Sequence, residues 1–364
     1  MPGSRSTRSR GGRQFCGMNR RQFLSFAAVG ATVLASARPL RADARPRRIK
    51  AGFLGGAHSH AAEKWRLVRE SADYELVGMA EESAGVRARF EKQGARFLSV
   101  DALLEACDVV LVESAVADHA RHAQQALAAG KHVHLEKPPA DNLADLEALV
   151  RLARQKNLML QVGYMWRYHP GFGAIFEAVQ RGWLGQVYLV RGMIGTELSA
   201  ERRPEWAQFK GGGLFELGSH LIDALIRLMG EPVSVTSLLR GHGGFADALM
   251  DNSVAVFEFP KAIGMIVNST LQPNAGRHRV FEVFGTNGSA TLQPIEPPTL
   301  QIDLAKAAGP YKAGLQTVPL PKYERYVGDL AELAAAVRGE RPLNVTLDEE
   351  LRVQKWLLKA CGMI

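Results

Sequence analysis

Cysteine is scarce in this sequence, with three residues among 364, and no two of them have a C-x-x-C spacing. Cys107 and Cys361 have apolar neighbours in the chain, so buried free thiols are expected rather than a disulfide framework or a cysteine-rich metal site. Long apolar runs are also lacking. The apolar stretch Ser25 to Ala37 has 13 residues, whereas a membrane-spanning helix needs about 20. The sequence therefore predicts no stable membrane anchor.

Clustered basic charge is absent after Arg48, although the whole chain carries a formal charge of +8. Residues 1–44 hold eight arginines and one aspartate, a net +7, so the remaining 320 residues carry +1. A nucleic-acid-binding protein needs a basic surface that neutralises phosphates, and this pattern excludes that class. With 46% hydrophobic and 23% charged residues, the chain has the composition of a globular protein, and its length predicts two domains.

The N-terminal segment has the features of an export signal. Arg20 and Arg21 stand directly before Gln-Phe-Leu, the uncharged stretch follows, and Ala42-Asp43-Ala44 provides small residues for cleavage. We expect a twin-arginine signal in residues 1–44, cleavage after Ala44, export of the folded protein by the twin-arginine translocase, and a periplasmic location. A disordered basic tail is the alternative. The true start is Met1 or Met18.

Residues 45–165 alternate short apolar runs with amphipathic stretches. Strands are predicted at 49–54, 74–79, 108–112 and 132–135, with helices between them. Runs that are apolar on both faces indicate a parallel sheet covered on both sides, which is the doubly wound α/β class, and a dinucleotide binds at the strand ends of such a sheet. After residue 170, alternating strands at 187–195, 253–259, 264–269 and 280–284 predict a largely antiparallel sheet.

The first turn departs from the dinucleotide fingerprint G-x-G-x-x-G. The frame from Gly55 reads Gly-Gly-Ala-His-Ser-His, with Ala57 and His60 in place of the second and third glycines. Glu81 follows the second strand, where a carboxylate accepts hydrogen bonds from the adenosine ribose and repels a 2′-phosphate. This position favours NAD over NADP. The alternative is a solvated acid that follows a strand.

Several motifs in order along the chain resemble the Gfo/Idh/MocA family of oxidoreductases. The family's G-K-H-V-x-x-E-K-P stretch is present as Gly130 to Pro138, its interdomain segment as Gly163 to Pro170, and its G-x-H-x-x-D helix as Gly218 to Asp223. The turns Gly182 to Val187 and Gly285 to Ser289 match as well. The resemblance implies a Rossmann domain (residues 45–165) followed by an α/β domain with an open, largely antiparallel sheet (166–364). An uncovered sheet face in turn predicts a homodimer or homotetramer.

The resemblance also implies the site. Lys137 corresponds to the family's catalytic lysine and His220 to its general base, and Glu216 is expected to orient His220 from the same face of one helix. Substrate contacts are expected from Lys137, Arg167, His169, Glu216 and His220. Cofactor contacts are expected from Gly55, Gly56, Ala57, His58, Glu81, Ser114, His119, Glu136, Lys137, Trp166 and Arg167.

Three departures from the family pattern concern this site: the altered first turn, Glu216 where the family more often has Asp, and Glu113-Ser114 where many members have Thr-Pro. The pairs His58/His60 and His132/His134 could chelate a metal, but no acidic or cysteine partner stands at ligand spacing, so no metal is expected.

Three functions remain open at this stage. The first is an exported NAD-dependent oxidoreductase that acts on a hydroxyl of a sugar or polyol and holds its nicotinamide tightly. The second is an NAD-dependent glycoside hydrolase or epimerase that uses transient oxidation. The third is a non-catalytic sugar-binding or scaffold protein on the same fold.

Overall fold

A computed structural model describes residues 47–364, and the predicted export signal lies outside the described residues. The chain begins with alternating strands and helices. These elements are β1 (Ile49–Leu54), α1 (Ala61–Glu70), β2 (Tyr74–Ala80), α2 (Ala84–Glu91), α3 (Val100–Ala106), β3 (Val109–Val112), α4 (His119–Ala128), β4 (His132–Leu135), α5 (Leu143–Lys156) and β5 (Leu160–Val162). All five strands are parallel, in the order β2-β1-β3-β4-β5. The predicted doubly wound sheet is thereby confirmed.

The central strand β3 shows why this sequence folds as a parallel sheet. All four of its residues are buried, because helices cover both faces of the sheet. The two layers of helices pack on opposite sides, one around Trp65 and Phe90 and the other around Leu127 and Leu149. In such a sheet the carboxyl ends of all strands meet at one edge, and that edge carries the site described below.

The second half of the chain forms an eight-stranded sheet. Its elements are α6 (Pro170–Gln180), β6 (Val187–Gly195), α7 (Arg203–Ala207), α8 (Gly212–Glu216), α9 (Ser219–Met229), β7 (Ser234–Arg240), β8 (Asn252–Phe259), β9 (Ala262–Ser269), β10 (Val280–Gly285), β11 (Gly288–Leu292), β12 (Leu300–Leu304), β13 (Gly314–Val318), α10 (Val327–Val337) and α11 (Leu347–Ala360). The strand order is β13-β12-β11-β10-β6-β9-β8-β7, and every pair except β6–β9 is antiparallel. The predicted open, largely antiparallel sheet is confirmed.

The final helices return to the first sheet. The Tyr74 hydroxyl donates to the carbonyl of Leu330 in α10, and the Gln354 amide in α11 donates to the carbonyl of Ala140. These contacts tie the two halves of the described chain together, the first at the start of β2 and the second just after β4. Among the described residues, no helix is both long enough and apolar enough to cross a bilayer.

Candidate active site

A cleft of about 360 Å³ lies at the carboxyl ends of β1, β2 and β3. Gly55, Ala57, Glu81, Ser114 and His122 are among the residues that line it. Gly55 has φ +78°, and a Cβ on it would lie 2.5 Å from the Cα of Ser114. Only glycine therefore lets the first turn pack against the end of β3.

The polar groups of this cleft suit a dinucleotide. The Glu81 carboxylate accepts hydrogen bonds from the backbone N–H groups of Gly56 (2.9 Å) and Ser83 (2.8 Å), which leaves lone pairs for ribose hydroxyls. The Ser114 hydroxyl is buried and has no hydrogen-bond partner among the described residues. Arg121 also lines the cleft, but it is paired with Asp118 at 2.6 Å. Because the Glu81 carboxylate has no cationic partner within residues 47–364 and Arg121, which lines the cleft, is paired with Asp118, the cleft fits NAD better than NADP.

Replacing Glu81 by Gln should weaken the discrimination against NADP, because the amide keeps the shape of the side chain while removing the charge that repels a 2′-phosphate. We expect the ratio of the two dissociation constants, NADP over NAD, to fall roughly tenfold, which corresponds to about 1.4 kcal/mol. Fluorescence titration of both nucleotides measures it. Glu91→Gln removes the same charge from an exposed position on α2 and serves as the control. An unchanged ratio in Glu81→Gln would exclude this role for the carboxylate.

Three residues predicted to contact the cofactor are buried away from the cleft. His58, His119 and Glu136 are at most 1% exposed. The two ring nitrogens of His119 lie against the carbonyl oxygens of Pro138 (2.8 Å) and Ser114 (3.1 Å). The prediction of direct cofactor contact is therefore wrong for these three, because their polar atoms face the protein interior. His58 stands at a variable position of the fingerprint, and because its side chain is buried it places no imidazole in the cleft.

A second, larger pocket of about 740 Å³ contains the predicted reacting groups. Lys137, Glu216, His220 and Trp166 all line it. Lys137 follows β4, and its ammonium donates to the Glu216 carboxylate (2.7 Å) and to the Glu216 carbonyl (2.9 Å). The tertiary structure thus brings together the lysine, the carboxylate and the imidazole that the motifs suggested.

Glu216 and His220 are not paired in the predicted way. Glu216 ends α8, and His220 belongs to the separate helix α9, so the expectation that they share one face of a single helix is wrong. The helix breaks because the Glu216 carbonyl accepts from Lys137 and from the Ser219 hydroxyl (3.0 Å) instead of from the N–H of His220. The Glu216 carboxylate contacts His58 Nε2 at 3.2 Å. Nδ1 of His220 is buried without a partner among the described residues.

The electrostatics of the pocket separate these two groups. Burial alone would raise the pKa of Glu216, but the charge of Lys137 and the contact with His58 outweigh it and lower that pKa. Burial, followed by the charge of Lys137, holds the pKa of His220 well below its usual value. Glu216 is therefore an anion that pairs with the Lys137 ammonium, and His220 is a neutral imidazole able to accept a proton.

Arg167 and His169 do not reach this pocket. The Arg167 guanidinium is buried between Asp223 (2.7 Å) and Glu350 (2.5 Å). His169 caps α6 through Nδ1, and its Nε2 lies 2.8 Å from the carbonyl of Ile295. The predictions that Arg167 contacts cofactor and substrate and that His169 contacts substrate are wrong. The polar atoms of both side chains are occupied by hydrogen bonds and ion pairs to other parts of the fold. Trp166 does line the pocket.

Beneath the pocket lies a charged cluster that the sequence reasoning missed. Lys64 of α1 is fully buried, and its ammonium lies 2.7 Å from Glu113 Oε1, 2.7 Å from His134 Nε2 and 2.5 Å from Glu136 Oε2. One signal was available in the sequence. Lys64 stands with Ala61, Trp65 and Val68 on the buried stripe of an amphipathic helix, where a lysine is out of place.

The same cluster includes a possible set of metal ligands. One ligand atom each of His58, His60 and Glu136 lie within 4.8 Å of one another, and so do atoms of Glu113, His134 and Glu136. Glu136 belongs to both groups, and its Oε2 already accepts a hydrogen bond from the Lys64 ammonium. A metal at either place would face that fixed positive charge, so we assign no metal ion to these groups.

The parallel sheet with its dinucleotide cleft, next to a pocket that holds a lysine and an imidazole, defines an NAD(P)-dependent oxidoreductase. Two family profiles match the chain: the NAD-binding Rossmann fold of the oxidoreductase family over residues 49–164, and the GFO/IDH/MocA C-terminal domain over residues 172–291. The protein belongs to the Gfo/Idh/MocA family of oxidoreductases, and its cofactor is NAD.

Known relatives agree with this assignment. The chain is 27% identical to the dTDP-3,4-didehydro-2,6-dideoxy-alpha-D-glucose 3-reductase of Streptomyces violaceoruber over 65% of this chain and 70% of that protein. It is 24% identical to the inositol 2-dehydrogenase of Rhizobium meliloti over 79% and 87%. The fold is similar to that of GenD2 from gentamicin A biosynthesis in complex with NAD, with a TM-score of 0.71, 24% identity and coverage of 86% and 93%. Among eight of the curated relatives, the matched share of their own length ranges from 41 to 87%.

Proposed function

We propose that the protein oxidises a hydroxyl group of a sugar, a polyol or a related carbohydrate and passes the hydride to a tightly held NAD. The observation that carries this proposal is the shared pocket of Lys137, Glu216 and His220. Two of the similar proteins support the substrate class, because one is named for inositol and the other for a dideoxyglucose nucleotide. The first name describes a ring that bears hydroxyl groups and the second a keto sugar that is reduced at carbon 3, so both concern the conversion between a hydroxyl and a ketone.

The residues of the pocket divide the chemistry between them. The Lys137 ammonium, held in place by Glu216, hydrogen-bonds the substrate hydroxyl and stabilises negative charge that develops on its oxygen. His220, held neutral, accepts the hydroxyl proton. Gly55, Glu81 and Ser114 hold the dinucleotide, and NAD when bound supplies the hydride acceptor. Trp166 forms a wall against which an apolar face of the substrate can pack.

The protein is proposed to work in the periplasm after twin-arginine export. Support comes from the sequence of residues 1–44, which lie outside the described part of the chain. Because that pathway moves folded proteins, NAD would be bound before export and carried out with the enzyme. A retained cofactor must then be reoxidised by a second substrate, or reset within one catalytic cycle as in the hydrolase or epimerase alternative.

One experiment tests location, cofactor and reaction together. The protein is purified from the periplasm without added nucleotide, its bound nucleotide is identified by mass spectrometry, and it is mixed with neutral and acidic sugars and with polyols. We expect bound NAD(H) and a rise in absorbance of the reduced nicotinamide with a subset of the sugars. Protein that holds no nucleotide and binds none when it is added would contradict the proposal. Product analysis then separates net oxidation from hydrolysis or epimerisation.

Changing Arg20 and Arg21 together to Lys should stop export, because the paired arginines are the signature that the twin-arginine translocase reads. We expect the variant to stay in the cytoplasm at least about tenfold more than the unchanged protein, as measured by immunoblotting of fractions. Changing Arg5 and Arg8 to Lys is the matched control. Unchanged periplasmic accumulation of the Arg20/Arg21 variant would contradict the proposed route.

The second domain, which we place at residues 166–364, is proposed to form a homodimer or homotetramer through the outer face of its sheet. Leu238, Val256 and Ile263 project from neighbouring strands on that face and are 39 to 57% exposed. A contiguous apolar sheet face is a common site of subunit contact. Sedimentation velocity at micromolar concentration tests this, and a monomer would contradict it.

A further inference from the structure

Lys64 is fully buried, which is unusual for a lysine and requires a physical explanation. Its ammonium is fully enclosed, and charged groups reach it from several elements: Glu113 after β3, His134 on β4 and Glu136 after β4. Asp329 of α10 lies near enough to raise its pKa, and the Tyr326 ring lies 5.4 Å away. Buried ion pairs are often no more stabilising than apolar residues of similar volume. Fold stability alone therefore does not account for this arrangement.

The cluster continues into the reaction pocket through two routes. In the first, Glu136 joins Lys64 to the pocket: its Oε2 binds the ammonium and lies 3.2 Å from His60 Nδ1, while its Oε1 accepts the backbone N–H of Lys137 at 2.8 Å. In the second, the Glu113 carbonyl accepts the backbone N–H of His58 at 3.0 Å, and His58 Nε2 contacts Glu216. Lys137 is thus held at its backbone by one route and at its ammonium by the other.

The charges of the cluster form one set. The ammonium groups of Lys64 and Lys137 are paired with the carboxylates of Glu113, Glu136 and Glu216, and the buried carboxylate of Asp329 also lies near Lys64, so the acidic groups outnumber the lysines. Burial raises the pKa of Glu113 to about 7 despite the neighbouring ammonium. Burial would also raise the pKa of Glu136, but the charge of Lys64 lowers it well below its usual value. Lys64 therefore keeps Glu136 ionised, and Glu113 is a second carboxylate paired with the same ammonium.

We propose that Lys64 is a positioning residue for the catalytic lysine, acting through Glu136, with Glu113 as its buried counter-ion. This inference rests on the proposed function of Lys137. It explains two departures from the family pattern as parts of one device. Glu113 stands where many family members have threonine and pairs with the interior lysine, and His60, in place of the third glycine of the first turn, lies 3.2 Å from Glu136.

The test compares Lys64→Met with the double variant Lys64→Met/Glu113→Gln. The single variant leaves the carboxylates of Glu113 and Glu136 without their shared cation. Their pKa values should therefore rise, and the fold should become less stable. The double variant removes one charge of each sign and so keeps the net charge of the unchanged protein. We expect it to recover the melting temperature while kcat remains roughly 10²-fold low, because a small displacement of a reacting group costs about that much.

Further readouts distinguish positioning from a merely structural role. With a substrate identified by the sugar panel, KM should change less than kcat, and the acidic limb of the pH profile should move upward in the single variant and return in the double variant. Arg69→Met, an exposed change on the same helix, is the control that should leave both unchanged. If kcat of the double variant recovers together with its melting temperature, Lys64 only balances charge and the proposal is overturned.

Hydrogen–deuterium exchange tests the same link without any substrate. The backbone N–H of Lys137 donates a hydrogen bond to Glu136 Oε1, and this bond should weaken when Lys64 no longer holds Glu136. The amide should therefore exchange at least about tenfold faster in both Lys64 variants, and at the rate of the unchanged protein in Arg69→Met. Unchanged exchange would overturn the proposed link even if the protein is an active dehydrogenase. Faster exchange in a protein that oxidises no sugar would instead support the link and count against the proposed function.

Discussion

Lys137→Met should lower kcat by roughly 10²- to 10⁴-fold, the range lost when a group that transfers or stabilises a proton is removed. The dissociation constant of NAD should change by no more than about twofold, because Lys137 lines the reaction pocket and not the nucleotide cleft. Stopped-flow or steady-state turnover on a substrate from the sugar panel measures the first quantity, and nucleotide titration measures the second. Turnover within threefold of the unchanged protein would exclude the catalytic assignment.

Two controls make this result specific. Removing Lys137 alone leaves the buried Glu216 carboxylate without its cation, which costs about 3–5 kcal/mol. The double variant Lys137→Met/Glu216→Gln should regain the melting temperature but not the turnover. Lys131→Met changes a lysine of the same motif that donates to the carbonyl of Cys107, outside the pocket, and should leave turnover unchanged.

Gly55→Ala should have the largest effect on the nucleotide cleft. Alanine at φ +78° costs about 1 kcal/mol from backbone strain. The added Cβ would also lie 2.5 Å from the Ser114 backbone, which adds about 1–3 kcal/mol of overpacking. We expect the free energy of unfolding to fall by about 2–4 kcal/mol and NAD affinity to fall at least about tenfold, as measured by denaturant titration and by calorimetric binding.

Gly94→Ala is the matched control for this prediction. Gly94 has φ +77°, nearly the value of Gly55, but a Cβ there would meet nothing within 4 Å. The backbone strain is therefore the same and the clash is absent, so this variant should lose about 1 kcal/mol and keep its NAD affinity. Equal losses in the two variants would show that the first turn moves away from Ser114 at little cost, and the close packing of the cleft would then be wrong.

The predictions from sequence succeeded where the signal was local. Strands β1 and β4 begin and end at the predicted residues, and the placement of Lys137 and His220 in one pocket was expected from the motifs. The predictions failed where the role of a side chain depends on a contact with a residue that is distant in the sequence. Arg167 matches a family position, but its guanidinium is committed to Asp223 and Glu350, and the sequence holds no sign of the second of these, 183 residues away.

Glu216 shows a second kind of failure. The four-residue spacing to His220 predicts a contact only if the helix is continuous. Whether it is continuous depends on which donor reaches the Glu216 carbonyl, and that donor is Lys137, 79 residues away in the chain. A pattern of neighbouring residues cannot show that a distant side chain takes the place of the helical N–H donor at this carbonyl. The buried position of Lys64, by contrast, was readable from the stripe it shares with Trp65 and Val68, but its three partners were not.

The sequence by itself determined the class of this protein. Strands that are apolar on both faces require a covered parallel sheet, alternating strands permit an open antiparallel one, and the stretch from Gly130 to Pro138 marks the family. The tertiary structure decided which polar side chains share a cavity and which hold one another in the interior. Those contacts join residues 58, 64, 113, 136 and 216, and their geometry follows from how the sheet edge packs against α8 rather than from any spacing along the chain.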